Sequence, residues 1–429
     1  MFENLLFQER ASDQLVSMIK NRTIPPALLF AGPEGAGKFT AALEFARVCS
    51  CERSGQWNCA CPQCVRHRSL SHPDLMLFGP RSSPQEIAVT SEYFSSNPGV
   101  SSYYAFVRAI RKLLRRFDTT LWIGEESKLS KAASAIESIE EMLEEISMLT
   151  AKKKNDSLKP ITQKAVEAAA SLEAMVPDGI PVFMVRNMAA WASLAPASAQ
   201  KTIIIQNADA ANESARNAML KILEEPPAKV HFVLTSSRRA ALIATILSRS
   251  RLISFNARTE EESREIVSRL FKMRDDFASL QEFFQKRSAY PAEKARADAE
   301  LFFGALIAEA MARDSALSGE VAEDLARRAS SSRVSAAQAL TTIAEETSSF
   351  GAKSAKFADS LYVFIRASTR LLASVALDPT SSAALVAHID RVSAKLRELG
   401  VQYKVLNRSP ELLLEAFANV LGVRNESSL

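Results

Sequence analysis

The stretch ALLFAGPEGAGKF, Ala27 to Phe39, opens on five apolar residues, turns through three glycines and enters a helical pattern at Lys38. Strand, glycine-rich turn and helix form the unit on which phosphate binding sits, because loop N–H groups and a helix N-terminus both favour an anion. GPEGAGK fits the pattern G-x-x-x-x-G-K. Gly32, Gly35 and Gly37 let a backbone wrap phosphate oxygens, and Lys38 would neutralise the outer ones. The next position normally carries a hydroxyl that binds magnesium; here it is Phe39.

A second stretch, KTIIIQNADAANESARNAMLKILEEPP from Lys201 to Pro227, repeats the strand–exit–helix order. A nucleotide-hydrolysing site places carboxylates at such an exit, to hold magnesium and polarise water. Gln206 and Asn207 stand there instead. Amides bind a divalent cation far more weakly and cannot act as general bases. With Phe39, these changes predict a site that does not hydrolyse ATP; whether nucleotide still binds at Lys38 stays open.

The helix that follows has clear punctuation: Asn212 as N-cap, Glu213 in the first turn, and Pro226-Pro227 as the stop. Ala215, Ala218, Met219, Ile222 and Leu223 make its apolar stripe. Val230–Thr235 reads as a further strand, Ala189–Ala199 as a helix, and ILSRSRLISF as a helix passing into a strand with Arg249 between them. Strands alternating with helices predict an α/β domain with a parallel sheet covered on both faces.

The whole chain of 429 residues has room for about two to four domains. Hydrophobic residues are 47% and charged ones 24%, which suits a soluble protein with a sizeable core. A formal charge of +4 marks neither a strongly basic nucleic-acid binder nor an acidic tail. No run of about 18 apolar residues predicts a membrane span, and the N-terminus shows no secretory pattern. A cytoplasmic protein is expected.

All five cysteines fall within CSCERSGQWNCACPQC. Thiolates so closely spaced predict a structural zinc site on Cys51, Cys59, Cys61 and Cys64, with Cys49 as the alternative to Cys51. Between about 82 and 178, helical segments around Phe106–Phe117, Leu129–Leu149 and Ile161–Met175 predict an insert ending in a helical hairpin whose joint is Lys152–Ser157. Its VRAIRKLLRR helix sets Arg108, Arg111, Lys112, Arg115 and Arg116 on one face, read either as a solvated surface or as one that meets phosphates or an acidic partner. From Thr259 onward the pattern is helical throughout.

Together these features resemble the delta-prime family of bacterial DNA polymerase III clamp-loader subunits, which are AAA+ proteins. The likeness rests on GPEGAGK, the cysteines, HPD at His72–Asp74, NAMLKILEEPP at Asn217–Pro227, SRS at Ser248–Ser250 and NRSPELLLEAF at Asn407–Phe417. It departs in the cysteine spacing, where the family has C-x8-C-x2-C-x2-C, and in the insert, which has no counterpart.

The resemblance implies an AAA+ P-loop domain over 1–256 with a zinc module at about 49–74, a helical lid over 257–298 and an all-α collar over 299–429. It implies a non-hydrolysing stator that joins gamma/tau motor subunits and delta, helps load the sliding clamp on primed DNA, and offers Arg249 as an arginine finger to ATP held next door. A gamma/tau-type motor is the first rival reading. A zinc-bearing nucleic-acid binder with a vestigial P-loop is the second.

Overall fold

The computed structural model describes residues 1–80, 85–151, 157–173, 175–177, 179–273, 277–286, 292–353, 360–406 and 410–422. They divide into two compact units, Met1–Phe284 and Gln285–Leu429.

The first unit is built on five parallel strands, β1 (Ala27–Ala31), β2 (Leu75–Phe78), β3 (Lys201–Ile205), β4 (Val230–Ser236) and β5 (Arg251–Ser254), in the order β2-β3-β4-β1-β5. Both faces are buried, and the period-2 alternation of a strand sends successive residues to different cores. Leu29, Met76, Ile203, Ile205, Phe232 and Leu234 face one core. Leu28, Phe30, Leu77, Ile204 and Val233 face the other. The expected α/β class with a parallel sheet is what forms. β2 is the strand that sequence reading missed: LMLF is only four residues long and follows directly on a His-Pro-Asp turn.

Helices α1 (Glu9–Lys20), α2 (Lys38–Cys49) and α3 (Pro62–Arg68) precede β2. Then come α4 (Gln85–Ser96), α5 (Val100–Leu114), a 3-10 turn at Arg115–Phe117, α6 (Glu126–Ala151) and α7 (Leu158–Glu173). α6 and α7 pack along each other as the expected hairpin pair, with Ile139, Leu143, Ala165 and Ala169 buried. Most of the proposed joint, 152–156, lies outside the described residues.

α8 (Val182–Ala192) begins and ends earlier than the alanine-rich run at 189–199 suggests. Pro181 fixes its start, and Lys201 caps its end by donating Nζ to the Trp191 and Leu194 carbonyls at 2.6 and 2.8 Å. α9 (Glu213–Glu224) has the expected cap: Asn212 Oδ1 accepts from Ala215 N at 2.8 Å. α10 (Ala244–Arg249) leads into β5, and α11 (Glu260–Phe271) and α12 (Leu280–Lys286) follow it.

The second unit holds α13 (Ala292–Arg313), α14 (Glu320–Ser331), α15 (Ala336–Lys353), α16 (Ser360–Ala376), α17 (Ala383–Leu406) and α18 (Pro410–Leu421). α13 is its hub, touching α14, α15 and α16, with Phe302, Phe303 and Ile307 in the core. Ser409, the expected cap of α18, lies outside the described residues. Among the described residues no helix is long and apolar enough to cross a membrane.

Candidate functional site

The P-loop forms where the sequence places it, between β1 and α2. A side chain at Gly32 would stand 2.3 Å from the Phe255 carbonyl oxygen, so only glycine lets the loop leave the sheet there. Gly37 has φ 94, and a side chain on it would meet Arg258 Nη2 at 2.7 Å. The loop is covered by its own chain. Arg258 Nη2 donates to Ala36 O at 3.2 Å, Gln281 Nε2 to Glu34 Oε2 at 3.0 Å, and a side chain at Gly35 would touch Leu280 of α12.

Lys38 is turned inward. Its Nζ donates to the Gly32 and Pro33 carbonyls, both at 2.6 Å, and to Ser237 Oγ at 3.2 Å. Burial lowers its pKa to about 8, against the opposing pull of Glu34 and Asp209. Asp209 itself pairs with Arg238 at 2.9 Å.

At the exit of β3, Gln206 Oε1 accepts from Arg116 Nη2 at 2.6 Å. Asn207 has φ 48 and ψ 55, a left-handed conformation that asparagine tolerates better than most residues with a Cβ. Its N–H donates to Thr235 Oγ1 at 3.0 Å. Asn207 therefore has a backbone reason as well as a chemical one. Positions 39, 206 and 207 offer a magnesium ion no carboxylate, and the oxygen Gln206 does offer is already engaged.

The cysteines separate cleanly. Sulfurs of Cys51, Cys59, Cys61 and Cys64 all lie within 4.8 Å of one another, a group placed to hold a metal ion. Their surroundings fit thiolates: the N–H groups of Arg53 and Gly55 point at Cys51 Sγ, Cys64 N at Cys61 Sγ, and Arg47 Nη1 at Cys64 Sγ at 3.0 Å. Four sulfurs this close are compatible with zinc, which would cross-link a loop too small to fold alone. Cys49 is outside the group, and burial pushes its thiol up to about 12.

Arg47 ties this module to α2. With Glu44 it forms a buried ion pair at 2.5 Å, and it also donates to the Gly55 and Gln56 carbonyls. HPD is a second tie. Asp74 accepts from Ala197 N, Ser198 N and Ser198 Oγ at 2.8, 2.6 and 2.6 Å. His72 faces Gln63 of α3 through Nε2 and accepts from Asp74 N through Nδ1.

The basic face of α5 is neither a solvated surface nor free to meet phosphates. Arg108 donates to Arg68 O at 2.6 Å, Arg111 to Ser69 O at 2.9 Å, and Arg115 to the His72 and Leu75 carbonyls. Arg116 takes those of Gly79 and Pro80. The end of α3 and the loop into β2 leave carbonyls that need donors, and guanidinium forks supply them in sequence. The zinc-bearing nucleic-acid reading loses its working surface.

Arg249 sits at the end of α10. Its Nη2 pairs with Glu224 Oε1 at 2.7 Å, its Nη1 donates to Thr245 O at 3.1 Å, and a third of its side chain is exposed. Ser248 and Arg249 thus stand at the surface, beside the last residue of α9, while Ser250 is buried.

The family model described as "DNA polymerase III, delta subunit" matches residues 7–259, more than half of the chain. The chain belongs to this family. Delta-prime of Haemophilus influenzae is 39% identical to this family member over 61 residues, which are 14% of this chain and 19% of that protein. The match thus spans about a fifth of that relative's length. A solved DNA polymerase III gamma subunit-related protein from Thermotoga maritima aligns over 60% of this chain and 88% of its own, at 16% identity and a TM-score of 0.26, too loose a likeness to carry structural inference. The five-stranded parallel sheet of this family member is consistent with an AAA+ P-loop fold.

Proposed function

We propose that this chain is the non-hydrolysing, delta-prime stator of a DNA polymerase III clamp loader and supplies Arg249 to ATP bound by a neighbouring motor subunit. The observation that carries the reading is the contrast between a P-loop closed by its own chain and an arginine half-open at the surface. On this reading residues 257–298 act as the lid and 299–429 as the collar. Gamma/tau motors, delta, the sliding clamp and primed DNA are the partners, and zinc on the four cysteines is structural.

One reconstitution tests it. The purified chain alone should show no ATP turnover, and mixed with motor, delta, clamp and primed DNA it should raise the motor's rate. Substituting Arg249→Ala should remove that stimulation. Turnover by the isolated chain would establish the motor reading instead, and an assembled rate indifferent to Arg249→Ala would end the finger role. Metal analysis of chelator-free protein should give about one zinc per chain.

A further inference from the structure

Two residues of the insert, one helical turn apart, meet the two positions where a P-loop site would bind its metal. Lys112 holds its ammonium over the Phe39 ring, 5.6 Å from the centroid, and pairs with Glu86 of α4 at 2.5 Å. Arg116 holds Gln206 Oε1 at 2.6 Å and is only 5% exposed. Phe39 stands at the motif's hydroxyl position and Gln206 at the strand-exit acid. Both ligand positions are neutral, and a cation covers each.

The rest of the environment fits fixed positive charge. Arg116 also donates to the Gly79 and Pro80 carbonyls, Trp122 Nε1 donates to Arg116 O at 2.8 Å, and buried Glu173 is the acid that offsets its charge. These contacts leave the guanidinium one seat. A divalent ion entering beside it would meet like charge in a low-dielectric setting, and Gln206 and Asn207 would bring it no carboxylate in return.

We infer that the insert supplies a built-in cation for this site: Lys112 and Arg116 take the electrostatic place of a divalent ion, hold Phe39 and Gln206 in one arrangement, and exclude metal from the strand exit. The inference deepens the non-hydrolysing reading above and rests on it. It gives the insert a task and makes the loss of metal binding two-layered. Positions 39 and 206 carry no metal ligand, and each faces a cation of the insert.

The test restores the ligands and asks whether metal returns. A zinc-loaded chain carrying Phe39→Thr, Gln206→Asp and Asn207→Glu is titrated with Mn2+ and followed by electron paramagnetic resonance. With Lys112 and Arg116 intact, it should bind Mn2+ no more tightly than the parent. Adding Lys112→Met should tighten binding about tenfold or more, and Arg116→Gln should tighten it further. Lys112 is partly exposed and its loss leaves the core intact, so that variant decides the matter even if Arg116→Gln fails to fold. An affinity independent of both residues, undetectable binding by every variant included, overturns the inference. That outcome leaves the Arg249 reading standing, whereas ATP turnover by the parent chain would remove the reading beneath both.

Discussion

Lys38 and Arg249 are two cations at the ends of helices flanking adjacent strands, yet the fold treats them in opposite ways. Lys38 follows β1, is 7% exposed, and spends its donors on two carbonyls and a serine of its own chain. Arg249 precedes β5, keeps a third of its side chain in solvent, and meets one surface acid. A cation whose donors are all used internally holds a structure together. One whose only charged partner is an exposed carboxylate, with the rest of its grip on its own helical turn, can exchange that partner for an anion arriving from outside, because such surface pairs are worth only about 0–1 kcal/mol.

The largest expected effect pits the two against each other in the assembled loader. Arg249→Ala should lower the stimulated ATPase by about 10³–10⁵, or roughly 4–7 kcal/mol of barrier, and Lys38→Met should leave it within about twofold. Equal losses would erase the distinction. Next comes the tie between the segments that lead into β2 and β3. Asp74→Ala removes a buried carboxylate that accepts three hydrogen bonds from Ala197 and Ser198 and should cost about 2–4 kcal/mol, read from the denaturant midpoint.

The third prediction concerns pH. Lys38 has a folded pKa of about 8 against 10.5 for the free side chain. Between these values the unfolded chain binds more protons than the folded one, so stability should rise with pH across that window. Relative to Lys38→Met, the parent should gain at most about 3 kcal/mol from pH 8 to pH 10.5, measured by paired urea titrations. A falling difference would mean that the loop favours the ammonium. The smallest effect belongs to the outer cation: Glu224→Gln should change stability by less than about 0.5 kcal/mol. A loss several times larger would show that Arg249 is anchored and not free to turn outward.

Much of this contrast was legible in the sequence, and the illegible part has a common cause. β1, β3 and β4 announce themselves because apolar runs end in glycine, amide or turn signals, whereas β2 is too short to show a period. The tetrad Cys51, Cys59, Cys61 and Cys64 could be listed but not separated from Cys49, because spacing along a chain does not say which sulfurs converge. The face of α5 was misread for the same reason. Arg108, Arg111 and Arg115 were visible as a stripe, but their acceptors are carbonyls some 40 residues earlier, and main-chain acceptors leave no mark in composition. Patterns within one element are written locally; partners across the fold are not.

The contact between Arg116 and Gln206 bears on how the chain can change over time. A lone Gln206→Asp would hand Arg116 a carboxylate and tighten the existing grip. A lone Asn207→Glu would put a residue less tolerant of left-handed φ at that corner. Neither single step toward an acidic strand exit therefore makes a metal site: the first leaves its carboxylate on Arg116, and the second strains the turn. An acidic exit free to hold a metal therefore needs Arg116, Gln206 and Asn207 to change together, and the effects of substitutions at these three positions should not add.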